Sequence, residues 1–539
     1  MTPTPPRRRS ASRAPLARLA ATALALATLA ACSEVPSRFA PPPSAAQVAA
    51  VVERCDLDGP GPETLAAWSR ALIDGAASGA VATDPVRVLV GLAPTVGPAV
   101  RGAPASGDAT ATAAAVARRH GLTLERPAGT APAAAGDAGR LGAAAAGPPP
   151  GAAVRMRVGP GDAPARAARR LLADPAVAYA HPDPLAIPLA TPRATPLDGA
   201  TPSQLPSDPL LSAQWHLTAF GAPQAWRVER GSSAVTVAVI DGGLDLDHPD
   251  LAARLEAGWD VYDGDDDPSG RDDHGTHVAG IVAAIGGNDV GGRGVAPEGV
   301  RVLPVKVFDD DGASSKGMGS ASDVADAVRW AAGLPVDGLP PRGAPAAVAN
   351  LSLGFDGVTE PIPAVEAAIR AARAAGTVAF AATGNLAPGE PRDRAGSGVL
   401  APANGPCAVA VGSLDANLAR SGFSRYFAVP PTAPTYGVDL VGPGGVGPDG
   451  GGVWSTVADG AYGELQGTSM ATPFVAGVAA LLASDDPTLR GDALLTAVLR
   501  AAARPSDADP AEVGLGVPCP DAALGAGTRC GSAWTAPWE

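Results

Sequence analysis

From residue 235 onward, short apolar runs alternate with longer stretches whose apolar residues recur every three to four positions. VTVAVID (235–241), RVLPVKVF (301–308), AAVANLSLG (346–354), TVAFAATGN (377–385) and PCAVAVGSL (406–414) read as strands. HVAGIVAAIGG (277–287), ASDVADAVRWAAG (321–333) and VEAAIRAARAAG (365–376) read as helices. Strands that are apolar at nearly every position are buried on both faces, which implies a mainly parallel sheet with helices packed on either side. In such α/β sheets the ligand site lies beyond the carboxyl ends of the strands.

The upstream half carries a second, smaller pattern. Residues 86–92 read as a strand, 110–121 as a helix closed by glycine, 152–159 as a strand of period two, 164–174 as a helix and 176–183 as a last strand. This β-α-β-α-β order, with a long Ala/Gly/Pro loop at 127–150, predicts a small sheet with helices on one face. Residues 40–85 are Ala- and Pro-rich and predict one helix near 45–54. Residues 184–209 are rich in proline and lack periodicity, the composition of a linker open to proteolytic cutting.

A chain of 539 residues exceeds what one hydrophobic core supports, so more than one folding unit is expected. The formal net charge of -14, with Lys306 and Lys316 the only lysines, argues against a nucleic-acid-binding surface. Five arginines between Arg7 and Arg18 precede an apolar run at 19–31, too short to span a bilayer, which reads as an export signal. Its end, Leu29-Ala30-Ala31-Cys32, resembles the lipobox of bacterial lipoproteins, in which the cysteine is lipidated; the alternative is an ordinary signal peptide. Cys55, Cys407, Cys519 and Cys530 then remain, an even number with three connectivities. Pairing Cys519 with Cys530 closes the shortest loop, and Cys407 stays open as a partner for either.

Chemistry gathers at the strand ends. Asp241 closes a buried strand, where a carboxylate needs a hydrogen-bonding or cationic partner. DDHGTHVAG sets His274 at the start of a helix, AATGN presents the Asn385 amide, and LQGTSMATPF places Ser469 among small residues. A serine hydroxyl attacks only when a base takes its proton and a third group fixes that base, and Asp241, His274 and Ser469 supply those roles. Pro473 is expected in the first turn of the helix that Ser469 opens, where a missing N–H costs little.

The blocks VAVIDGGLDLDHPDL, DDHGTHVAG, ANLSLG, AATGN and GTSMATPFVAG, in this order over about residues 205–505, resemble those of the subtilisin-like serine proteases, the subtilases. The order Asp, His, Ser is also that family's. The resemblance implies a three-layer α/β fold with a mainly parallel sheet, preceded by a small α+β ferredoxin-like propeptide domain. It implies that Asp241 orients His274, that His274 is general base and then acid, and that Ser469 is the nucleophile. Asn385 and the Ser469 N–H would form the oxyanion hole. Ser352, Leu353 and Gly354 would pair with substrate backbone and border the S1 pocket, with residues 381–384 as another wall. KVFDDDGASSKG (306–317) would be the opposite substrate edge; its aspartates 309–311 read as a solvated loop, the alternative being a preference for basic residues on the substrate's non-primed side.

The implied organisation is a signal peptide (1–31) ending at Cys32, a segment of unassigned role (32–85) and a propeptide-like inhibitor domain (86–190). A linker and processing region (191–209), a peptidase domain (210–505) and a C-terminal extension (506–539) follow. A cut within 184–209 would leave Cys32 on the propeptide side, with the protease released or held only non-covalently. The expected function is that of an exported serine endopeptidase made as an autoprocessed zymogen, acting on protein or peptide substrates and on its own propeptide. Membrane contact would run only through the lipid on Cys32. The alternative is a catalytically silent envelope protein that keeps the groove for peptide binding. No cofactor is required and no metal site is assigned: His277 follows His274 at helical spacing, but neither HExxH nor a third ligand accompanies it. The acidic turns at Asp245, Asp247 and 263–267 read as solvated, and structural calcium is the alternative there. His120, His181 and His216 receive no role.

Overall fold

The computed structural model describes residues 39–55, 59–93, 106–125, 153–189, 191–192, 208–309, 317–387, 390, 396, 398–428, 437–445, 451–526 and 530. Cys32, the lipobox and most of the 309–311 aspartate run lie outside them. Among the described residues no helix is long and apolar enough to cross a membrane.

The larger unit is built on a seven-stranded sheet. Its strands are β6 (Thr236–Asp241), β7 (Trp259–Asp260), β8 (Arg301–Lys306), β10 (Val348–Leu351), β12 (Val378–Ala382), β13 (Val409–Leu414) and β14 (Leu440–Pro443). They run in the order β14-β13-β12-β10-β6-β8-β7, and every pairing is parallel. Alternate residues of a strand face opposite sides, so Val237 and Val239 enter one core layer while Ala238 and Ile240 enter the other. The first layer is closed by α5 (Asp273–Ala283) and α8 (Thr468–Asp485), the second by α6 (Ala321–Ala331) and α7 (Pro363–Ala374). The sheet is thus buried on both faces, as its near-continuous apolar strands require. The chain winds to opposite sides of β6, so the crevice between β6 and β10 is the switch point where a ligand site belongs.

The smaller unit is a four-stranded antiparallel sheet of β1 (Thr83–Leu92), β2 (Thr123–Leu124), β3 (Val154–Arg157) and β4 (Val177–Pro188), ordered β4-β1-β3-β2. With α3 (Ser106–His120) and α4 (Pro164–Leu171) it follows the β-α-β-β-α-β plan of ferredoxin-like folds. Two elements go beyond the sequence pattern. β2 is only two residues long, too short for any periodicity, and α2 (Pro62–Ser78) precedes β1. α2 starts at a first-position proline and stops at Gly79 with φ 77, and it buries Trp68, Leu72 and Ile73.

The segment of unassigned role also divides. Its first helix, α1 (Ala45–Glu53), with a capping box between Ser44 and Gln47, lies on the larger unit, where Val48 and Phe39 join the core. At the far end, Val517–Pro518 pairs with Ala502–Ala503, and Cys519 is buried and joined to Cys530, so the chain beyond residue 505 folds back onto the same unit.

Candidate active site

Asp241 ends β6 fully buried, and His274 is the second residue of α5, whose N-cap Asp272 accepts from the His274 N–H. The helix reaches the strand end because Gly275 has no side chain: a Cβ there would stand 2.2 Å from Gly243 O and 3.3 Å from Asp241 Oδ1. His274 Nδ1 accordingly lies 2.7 Å from Asp241 Oδ1, which fixes the proton on Nδ1 and leaves Nε2 as the basic nitrogen. Nε2 is buried and has no hydrogen-bond partner among the described residues. Burial pulls the His274 pKa down, but the charge and hydrogen bond of Asp241, with Asp272 behind, outweigh it and leave the group above its ordinary value.

His277 takes no part. Its Nε2 donates to Val453 O at 2.9 Å, and burial holds its pKa down at about 3, so it is a neutral core histidine. Among the described residues no three His, Cys, Asp or Glu side chains gather for a metal, and Lys306 Nζ sits 2.9 Å from Asp260 at the edge of the 263–267 turn.

Ser469 is the second residue of α8, fully buried. Pro473 is the sixth residue of that helix rather than part of its first turn, so it removes the N–H that should donate to Ser469 O. The lost bond is replaced from outside the helix, because Ser352 Oγ donates to Ser469 O at 2.8 Å. The helix therefore continues through its proline, and Ser352 becomes a support for Ser469 as well as a residue of the cleft wall.

Asn385 follows β12. Its Oδ1 accepts from Thr468 N and Thr468 Oγ1, both at 3.0 Å, which orients the amide with Nδ2 toward the cleft. There Nδ2 donates to Leu189 O at 2.7 Å. Ser469 Oγ meets the same carbonyl oxygen at 2.5 Å and lies 2.9 Å from Ser352 O.

The occupant of the site is thus the chain itself. β4 leaves the small sheet and runs between β11 (Leu353–Phe355) and β9 (Gly319–Ser320), pairing antiparallel with both. The second edge therefore lies just beyond the 306–317 segment expected to provide it. Leu353 and Gly354 are in β11, opposite Pro188 and Ile187, and the Leu189 N–H donates to Ser352 O at 3.3 Å. The Leu189 side chain packs with Ala382 and Leu400, and a Cβ on Gly354 would stand 2.7 Å from Leu189 Cδ1. Past the site, β5 (Thr191–Pro192) pairs with Gln466 and Leu465 of β16 (Ala461–Gln466), immediately before α8. An extended segment added as a strand on both sides of a serine is the binding mode of a peptide substrate. Sequence reading did not single out Leu189; its only signal was an extended stretch, LAIPLAT, between strand pattern and linker.

Fold and site together define an α/β serine peptidase. Residues 232–527 match the family model described as the subtilase family, and the chain belongs to that family of serine endopeptidases. It is 38% identical over 280 residues to thermitase of Thermoactinomyces vulgaris, covering 52% of this chain and 85% of that protein. To Subtilisin Savinase of Lederbergia lenta it is 37% identical over 277 residues, covering 51% and 86%. Among solved structures, a protease of Pseudoalteromonas arctica PAMC 21717 superposes with TM-score 0.51 at 33% identity, covering 60% of this chain and 99% of that one. The family acts on protein or peptide substrates.

Proposed function

We propose that the chain is an exported zymogen that cuts its own Leu189–Ala190 bond through Asp241, His274 and Ser469. The observation that carries this reading is the Leu189 carbonyl, held between Asn385 Nδ2 and Ser469 Oγ with the peptide paired on both sides. In the reaction His274 Nε2 takes the Ser469 proton while Oγ bonds to the Leu189 carbonyl carbon. The resulting oxyanion is held by Asn385 Nδ2 and by the Ser469 N–H, one of the first-turn donors that lack a partner within the helix. His274 then gives the proton to the departing Ala190 amine, and water releases the acyl group by the same steps in reverse order. No step needs a metal. Export is supported by the basic, apolar N-terminus and by disulfides, which persist in oxidising compartments. A relative 35% identical over 341 residues bears the name "Extracellular protease".

The test is expression of the full chain with mass spectrometry of the products. A new N-terminus at Ala190, absent from Ser469→Ala, is expected. Cutting that persists in Ser469→Ala, or a first cut elsewhere, overturns the reading. Labelling of Ser469 by a fluorophosphonate separates a working peptidase from a silent peptide-binding groove. Asn385→Ala should slow the cut by about 10²–10³-fold, the cost of one oxyanion donor.

A further inference from the structure

We propose that the cut after Leu189 releases nothing: the enzyme persists as two chains joined by the Cys55–Cys407 disulfide, with residues 39–55 a permanent strap of the peptidase unit. This rests on the self-cleavage reading. The expectation of a protease released or held only non-covalently is corrected by the cysteines themselves, which bridge 352 positions of sequence with Cα atoms 4.5 Å apart.

The strap is built in by more than one bond. Arg54 forms a two-nitrogen ion pair with the buried Asp439. It also donates to Pro406 O at 3.1 Å and Ala408 O at 2.8 Å, the carbonyls on either side of Cys407. Arg373 of α7 donates to Val52 O at 2.8 Å, and the Ala40 N–H donates to Arg504 O at 2.7 Å. Phe39 and Val48 belong to the peptidase core, and Cys55 and Cys407 are buried. None of these groups belongs to the inhibitor-like fold, which begins at α2 and ends at β4. The strap and the inhibitor thus share one fragment but have different partners. Cutting after Leu189 severs the backbone between inhibitor and enzyme, while the strap still binds that fragment to the enzyme covalently.

Two consequences follow. A lipid on Cys32 would anchor the cut enzyme as firmly as the uncut one. The inhibitor also stays tethered, at an effective concentration on the order of millimolar, so dilution does not free the cleft. Full activation then needs either a second cut beyond Cys55 or reduction of the disulfide.

The experiment uses the full chain secreted into an oxidising compartment, trapped with a thiol-blocking reagent and run on denaturing gels with and without reductant. Without reductant, one band should contain both the Cys55 and the Ser469 peptides; with reductant they should part. Separation without reductant overturns the proposal. In Ser469→Ala, which does not cut itself, the peptide map should join Cys55 to Cys407, and any other pairing overturns the strap. If wild type stays one chain under reduction while that map holds, the self-cleavage reading is what has failed. The double variant Cys55→Ala/Cys407→Ala should release its N-terminal fragment without reductant. If it does not accumulate, the wild-type gels still decide.

Discussion

Burial alone would push His274 below the usual histidine pKa of about 6.5, and Asp241 at 2.7 Å reverses that shift. As the proposed base, His274 works only when neutral, so a raised pKa moves the acid limb of kcat/KM upward, and activity should be lost as pH falls through a midpoint above the ordinary value. Asp241→Asn should move that limb to lower pH and cost about 10⁴-fold in kcat, because the tautomer is no longer fixed; a limb that stays put would show that Asp241 does not set it. On the proposed cut, smaller groups set the fit around Leu189. With Leu189 Cδ1 only 2.7 Å from where a Gly354 Cβ would stand, Gly354→Val should close the pocket to leucine and favour alanine before the cut bond, as read with matched peptide substrates. The sequence made Asp241, His274, Asn385 and Ser469 legible because each stands in its own motif. Leu189 was not legible, since its role comes from where the fold delivers an ordinary apolar side chain.

At the scale of elements, the proline inside α8 shows how a helix is repaired from outside. Ser352→Ala should leave Ser469 O buried without a donor, a loss of roughly 1–3 kcal/mol, and should lower kcat by shifting the start of α8. Pro473→Ala restores the missing N–H, so the double variant Ser352→Ala/Pro473→Ala should regain much of that stability. Thermal melts of the four chains form the cycle, and simple additivity would refute the compensation. Elements with a long period were readable: the apolar strands of the parallel sheet and helices such as α6 and α7 follow directly from spacing. β2 was not, being two residues long, and the position of Pro473 within α8 depends on where the helix begins, the least determined feature of a sequence pattern. α2 carried its own signals, Pro62 at the start and Gly79 at the end, but the Ala-rich surroundings blurred its apolar face.

At the scale of the molecule, the contact between the two units holds a pair of opposed ionisable groups on one face of β4. His181 is fully buried against Tyr179, ring centroids 5.9 Å apart, and burial lowers its pKa to about 4. Asp183, two residues on, accepts from Ser322 N and Ser322 Oγ of α6; burial and then Asp323 raise its pKa to about 6, against the pull of Arg155 and Arg87. A lowered histidine means that the unfolded chain takes up the proton first, so its contribution to stability is lost as pH falls from about 6.5 toward 4. A raised carboxyl does the reverse: the folded chain takes the proton first, and stability is gained as pH falls from about 6 toward 4. The two terms, each roughly 3 kcal/mol, offset one another. Melting curves of the uncut Ser469→Ala chain should therefore gain a steep acid loss when Asp183→Asn is added and a relative acid gain when His181→Gln is added. Equal pH profiles in all three chains would mean that neither group is held as the fold places it, and that the two units are clamped by apolar contact, strand pairing and the ion pairs of Arg155 with Asp323 and Asp326.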